Sequence, residues 1–182
     1  MKCLLIIDAQ EAWRDKNSPF YIGDLKEFIV ATNKLLVWAR QQKIPIVFSL
    51  HIFKADGSDV LKQEKGQIDD FLVGNPRAEL FADLEKSPED LILIKNRFSV
   101  FSNPRLDKIL KEREIKELII GGITTNCCVR ATIIDAYNKE YGITIVKEAC
   151  ASESIKTDEF TFSDLESILS GIRIKKLEEV LK

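Results

Sequence analysis

Asp8, Lys95 and the adjacent pair Cys127-Cys128 are the side chains in this 182-residue sequence whose types could do chemistry together. A carboxylate, an amine and a thiol suffice for nucleophilic catalysis. The thiolate attacks a carbonyl, the acid takes and returns the proton, and the ammonium steadies the charges. Adjacent cysteines rarely satisfy disulfide geometry, so the pair reads as two thiols, and the question is which of them reacts. With Thr125 or Asn126 capping the helix that follows, both cysteines fall in its first turn. Unpaired amides and the positive end of the helix favour a thiolate there, against an ordinary thiol pKa of about 8.5. The same amides could hold an oxyanion. Each residue also has a plainer reading: Asp8 as a turn residue, Lys95 as a solvated strand end, the cysteines as small packing residues.

The elements that must position these residues are legible as an alternation. Apolar runs Lys2–Asp8, Ile44–Leu50, Asp90–Lys95, Leu118–Gly122, Ile143–Lys147 and Gly171–Lys175 read as six strands. Between them, Leu25, Phe28, Ile29, Leu35, Leu36 and Ala39 mark one face of a helix over Asp24–Lys43, with Asp24 and Glu27 as a capping box. Asn103-Pro104 makes an N-cap and first position for a helix through about Arg113. Val129, Ile133, Ala136 and Tyr137 share a helical face after the cysteines. Further helices lie around Asp158–Leu169 and Lys176–Leu181. This order predicts right-handed crossovers and a single α/β domain over residues 1–182. It would be a three-layer α/β/α sandwich, Rossmann-like, around a mainly parallel six-stranded sheet. Ligands of such sheets bind beyond the carboxyl ends of the strands, where Asp8, Lys95 and the Gly-Gly-Ile-Thr-Thr-Asn-Cys-Cys turn converge. The stretch His51–Pro88 breaks the rhythm and reads as a lid or a partner-binding excursion.

Composition narrows the classes. Apolar residues make up 45% and charged residues 31%, with a formal charge of −2, so no basic field favours nucleic acid or anionic lipid. A chain this long buries about 70% of its unfolded surface and needs no staple to fold. The apolar run CLLII is too short for a signal peptide or a membrane span. Four cysteines without an export signal read as reduced thiols, which makes the cytoplasm the expected compartment. A dinucleotide reading fails because the turn after the first strand, DAQEAW, has no glycine, and Gly121-Gly122 lacks the ending of a phosphate loop. No cofactor is therefore expected.

Three segments, LLIIDAQ (Leu4–Gln10), IKNRFSVF (Ile94–Phe101) and GGITTNCCVRATIIDA (Gly121–Ala136), resemble the signature segments of the isochorismatase-like cysteine hydrolases. The resemblance implies a triad of Asp8, Lys95 and Cys128, with Cys127 at a variable position. It implies a cis peptide at Ile123–Thr124 and an oxyanion hole from the amides of Thr124 and Cys128. It also implies hydrolysis of a C–N bond in a small amide or ureido compound through a Cys128 thioester, with Asp8 as acid and base. Gln10, Trp13 and Arg97 are expected in the substrate pocket, and a dimer or larger homo-oligomer is expected because such assemblies are common in the family.

The chain departs from the nicotinamidases of that family, whose metal site is built from an Asp-x-His pair and a further His. Here His51 is the sole histidine, so a two-imidazole site is impossible within one chain. His51 with Asp56 or Asp59 is a weaker metal option, and the expectation is no metal, with His51 in a pocket or hydrogen-bonding role. Val100 stands where the family often has Ala. A vinyl-ether hydrolase, a nicotinamidase, a Cys-His scheme through His51, and a catalytically silent ligand- or partner-binding member of the same fold stay open beside the amidase.

Overall fold

The structure is a computed structural model and describes residues 1–66 and 68–182. Six strands run β1 (Lys2–Ile7), β2 (Ile46–His51), β3 (Leu91–Lys95), β4 (Glu117–Ile123), β5 (Gly142–Ala151) and β6 (Arg173–Lys175). They form one sheet in the order β3-β2-β1-β4-β5-β6, and every pairing is parallel. The helices are α1 (Lys26–Gln41), α2 (Pro104–Glu112), α3 (Arg130–Asn138), α4 (Ile155–Ile168) and α5 (Leu177–Val180).

Alternation along the strands explains the three layers. Leu4 and Ile6 of β1 point to the face covered by α1 and α5, where Phe28, Leu35 and Leu36 pack with Phe48 and Val146. Cys3, Leu5 and Ile7 point to the other face, against Leu106 and Leu110 of α2, Ile133 of α3 and Leu165 of α4. A strand covered on both sides must be apolar throughout, and Cys3 to Ile7 is buried without interruption. Each such aliphatic side chain contributes about 1.5–3 kcal/mol by leaving water.

Glycine lets β4 sit against β1. Gly122 has φ +140°, and a Cβ there would overlap the Ile7 backbone; at Gly121 a Cβ would lie 2.6 Å from the Ala149 carbonyl oxygen. No L side chain fits that combination of φ and contact.

Several sequence expectations are adjusted. The sheet is wholly parallel, β5 runs four residues beyond Lys147, and α1 starts at Lys26 behind a Leu25 cap. Asp24 accepts from the Lys26 N–H at 3.1 Å but forms no capping box, because it precedes the cap position. Asn103 does cap α2, its side chain accepting from the Arg105 N–H at 2.9 Å. Among the described residues the excursion after β2 holds three 3-10 turns, Lys62–Glu64, Asp69–Phe71 and Pro76–Ala78, and its own small core of Phe53, Val60, Ile68 and Phe71 under Trp13 and Phe20. Gln67, inside that segment, lies outside the described residues. Among the described residues no helix is long and apolar enough to cross a membrane.

Candidate active site

The carboxyl ends of β1, β2, β3 and β4 meet in one buried cluster. β1 ends in Asp8, which adopts φ +49°, a left-handed turn that an Asp side chain tolerates better than most. Its carboxylate receives the Ser49 hydroxyl at 2.7 Å on Oδ1 and lies 2.5 Å from Lys95 Nζ on Oδ2, both side chains wholly shielded from solvent. Ser49 reaches Asp8 because Ile7 and Ser49 are register partners on adjacent strands.

Lys95 is the hub. Besides Asp8, its ammonium donates to His51 Nδ1 at 3.2 Å, to the Arg97 carbonyl at 2.9 Å and toward Cys128 Sγ at 3.6 Å. Burial pulls its pKa down, but Asp8 and Cys128 outweigh that and hold it above the ordinary lysine value. Asp8, His51 and Cys128 offer donor atoms that all lie within 4.8 Å of one another, a set able to hold a cation. The ammonium already stands among all three. A metal ion would have to displace it, so the residues present fit Lys95 rather than a metal. The loop acids considered for a metal are engaged elsewhere: Asp59 is tied to Asn96 and the Lys54 N–H, and Asp56 to the Ser58 N–H.

Cys128 sits on a turn of π-helix, Thr125–Val129, inserted between β4 and α3. Such turns recur at functional sites because the wider coil re-aims a side chain. Thr124 occupies the cap position without a side-chain cap bond, in place of the expected Thr125 or Asn126 cap. The Ile123–Thr124 peptide is cis, as the resemblance implies.

The surroundings of Cys128 work against the expected thiolate. The adjacent Cys127 thiol, burial and the Asp8 carboxylate push its thiol well above the ordinary range, against the pull of Lys95. Helix-end assistance is outweighed by desolvation and by a neighbouring negative charge. Cys127, half-buried, is held below its usual value by the adjacent Cys128 thiol, with burial opposing.

The three pocket candidates are placed as supports. Gln10, fully buried, spends both amide hydrogens on the carbonyls of His51 (3.1 Å) and Ala78 (2.7 Å) and accepts the His51 N–H at 2.8 Å. Trp13 Nε1 donates to the Asp8 carbonyl at 2.8 Å, and its ring packs on Phe20 and Phe71. Arg97 turns its exposed guanidinium away, onto the Asp59 carbonyl at 3.0 Å, and contributes its backbone oxygen to Lys95.

Sequence reasoning gave His51 a pocket or hydrogen-bonding role without pairing it with Lys95, and did not single out Ser49. The signal was available: they alternate on β2, so they share a face, and His51 is the register partner of Lys95. His51 lies among Phe53, Phe71 and Phe98, with ring centroids 4.7, 5.9 and 6.4 Å away. Burial and the Lys95 charge lower its pKa to about 4, so it is neutral.

With this geometry in hand, the likeness to known proteins is informative. The chain is 28% identical over 172 residues to the isochorismatase family protein YaaI of Bacillus subtilis, covering 92% of this chain and 90% of that one. It is 27% identical over 168 residues to the ureidoacrylate amidohydrolase RutB of Pseudomonas savastanoi pv. phaseolicola, covering 80% and 69% respectively. An isochorismatase family protein from Desulfovibrio vulgaris superposes with a TM-score of 0.88 at 27% identity, over 98% of this chain and 95% of that one. Residues 2–175 match the family model described as an isochorismatase domain, and the chain therefore belongs to the isochorismatase family.

Proposed function

We propose that this protein is a cysteine-dependent amidase that hydrolyses a C–N bond of a small amide or ureido compound. The observation that carries the reading is the convergence of a buried carboxylate, an ammonium and a thiol, with Lys95 within 2.5 Å of Asp8 and 3.6 Å of Cys128. The amidohydrolase named among its relatives supports the same bond class.

In the resting site Cys128 keeps its proton. Substrate entry displaces water and brings a carbonyl carbon to Sγ. Asp8 takes the thiol proton as the S–C bond forms, and Lys95 offsets the negative charge then shared by Asp8 and sulfur. The amides of Thr124 and Cys128 receive the oxyanion. Collapse breaks the C–N bond, and ammonia leaves with the proton from Asp8. Water then gives its proton to Asp8, attacks the thioester, and releases the acid and the Cys128 thiol. A vinyl-ether hydrolase would need the Asp8–Lys95 pair but no nucleophilic thiol, so the position of Cys128 beside Lys95 favours the amidase.

Ammonia release from a panel of small carboxamides and ureido compounds tests this, comparing wild type with Cys128→Ala and Cys127→Ala. Release lost in Cys128→Ala and retained in Cys127→Ala is expected. Activity that survives Cys128→Ala would sink the thioester scheme. A panel without any turnover by wild type would leave the silent, ligand-binding reading in its place.

A further inference from the structure

His51 leaves one strong donor without a use in the mechanism. Its peptide is clamped on both sides by Gln10, which donates to its carbonyl and accepts its N–H, so the ring hangs from a fixed backbone. Lys95 carries only donors and sits 3.2 Å from Nδ1, nearer than Cys128 Sγ at 4.0 Å, so the geometry favours Nδ1 as an acceptor. A neutral imidazole that accepts at Nδ1 carries its proton on Nε2. That Nε2–H is buried, the residue being 8% exposed, and it has no acceptor among the described residues. Leaving a buried donor unpaired is costly, and sites built to pair with a ligand are where such donors persist.

We propose that the Nε2–H of His51 is the specificity-determining donor of the site. The substrate is then a small amide or ureido compound with a second, uncharged acceptor, such as a carbonyl or ring nitrogen, a few bonds from the scissile carbonyl. Nδ1 lies 4.0 Å from Cys128 Sγ, so Nε2, on the same ring, stands within a few bond lengths of the reacting sulfur. The acceptor is uncharged because the ring lies among aromatic side chains and the buried cation beside it is already engaged. Phe53, Phe71 and Phe98 flank the ring, and the Lys95 ammonium is already engaged by Asp8, His51, Arg97 and Cys128. The Arg97 guanidinium, whose charge also reaches His51, is exposed and spent on the Asp59 and Asn96 carbonyls, so a second carboxylate at the buried ring would be desolvated with no buried partner of its own. The neutral state of His51 agrees with a role as donor to a neutral group. This inference rests on the amidase reading for the identity of the reacting carbonyl, but not for the state of His51.

Because His51 is the sole histidine, its imidazole nitrogens give unique resonances in protein labelled with nitrogen-15 histidine. At pH 7 the Nε2–H tautomer is expected, and an Nδ1–H tautomer would overturn the proposal. Binding is read in Cys128→Ala with 3-oxobutanamide and butanamide, which differ by a carbonyl in place of a methylene. The ketone is expected to bind about tenfold more tightly, the usual scale for one buried hydrogen bond, and to move the Nε2 resonance. His51→Phe in the same background should bring the two within about twofold, and His51→Gln, whose amide nitrogen stands near the Nε2 position, should restore part of the preference. Equal affinities before His51 is changed, a preference that survives His51→Phe, or no binding of either compound at millimolar concentration would each overturn it. Turnover is judged separately. Ammonia release without the preference leaves the amidase reading and removes this one; the preference without ammonia release does the reverse.

Discussion

The Lys95 ammonium lies 2.5 Å from the Asp8 carboxylate with both side chains fully buried, and this ion pair sits between the ends of β1 and β3 with β2 between them. A buried pair of this kind is held by its mutual satisfaction rather than by a net gain over apolar residues. Lys95→Met strands a carboxylate and is expected to cost about 3–5 kcal/mol in urea denaturation, together with all ammonia release. Asp8→Asn combined with Lys95→Met should recover most of that stability and none of the activity. A double variant no more stable than Lys95→Met would show that the two charges are not coupled.

His51 gives stability a pH dependence with a definite sign. Its pKa falls from the usual 6.5 to about 4 on folding, through burial first and Lys95 second. Between those values the unfolded chain binds a proton that the folded chain does not, so stability rises with pH across the window and is lost as pH falls from 6.5 toward 4. The full loss is about 3 kcal/mol, from about 1.4 kcal/mol per unit. Urea midpoints for wild type and His51→Phe from pH 4 to 7.5 should show this slope in wild type only. Parallel curves would count against a buried neutral imidazole.

Thiol reactivity should separate the four cysteines. Cys3 is pushed up to about 12 by burial, and Cys150 is raised further for the same reason. Cys128 is raised by the adjacent Cys127 thiol and by burial, and Cys127 alone is lowered and half-buried. Iodoacetamide at pH 7 is therefore expected to modify Cys127 first in the free protein, with Cys3 and Cys150 silent until unfolding. Peptide mapping by mass spectrometry reads the order. Cys128 labelled ahead of Cys127 would mean a resting thiolate at the candidate nucleophile.

Gln10 joins the end of β1 to the end of β2 and to the excursion through three hydrogen bonds. Gln10→Ala leaves the His51 N–H and two carbonyls buried and unpaired, a loss of roughly 3 kcal/mol. Because His51 is then free to shift, kcat should fall along with stability. A variant as stable and active as wild type would remove Gln10 from any positioning role.

Gly122→Ala is expected to prevent accumulation of soluble protein, since the new Cβ meets the Ile7 backbone at a φ of +140°. Expression with a circular dichroism melt reads this directly. A folded Gly122→Ala protein would show that β4 can move away from β1.

Strand runs were legible in the sequence because a sheet covered on both faces demands uninterrupted apolar residues, as in Cys3–Ile7. The Asn103-Pro104 start was legible because capping is local chemistry. The helix start at the cysteines was misread for the opposite reason: a π turn is chosen by how β4 meets α4 and β5, not by Thr125 or Asn126. Gln10, Trp13 and Arg97 were found by position, yet a side chain's partner depends on which distant backbone it faces.

The sequence by itself determined the alternation of strands and helices, the placing of an acid, an amine and a thiol at strand ends, and their resemblance to a hydrolase family. These follow from period, composition and short-range motifs. Only the tertiary structure decided that Lys95 stands among Asp8, His51 and Cys128. Only it decided that Cys128 is buried beside Asp8 and Lys95, and that His51 Nε2 is buried with no hydrogen-bond partner among the described residues. Charge states and hydrogen-bond partners depend on burial and on residues more than forty positions apart in the chain, which no local pattern records.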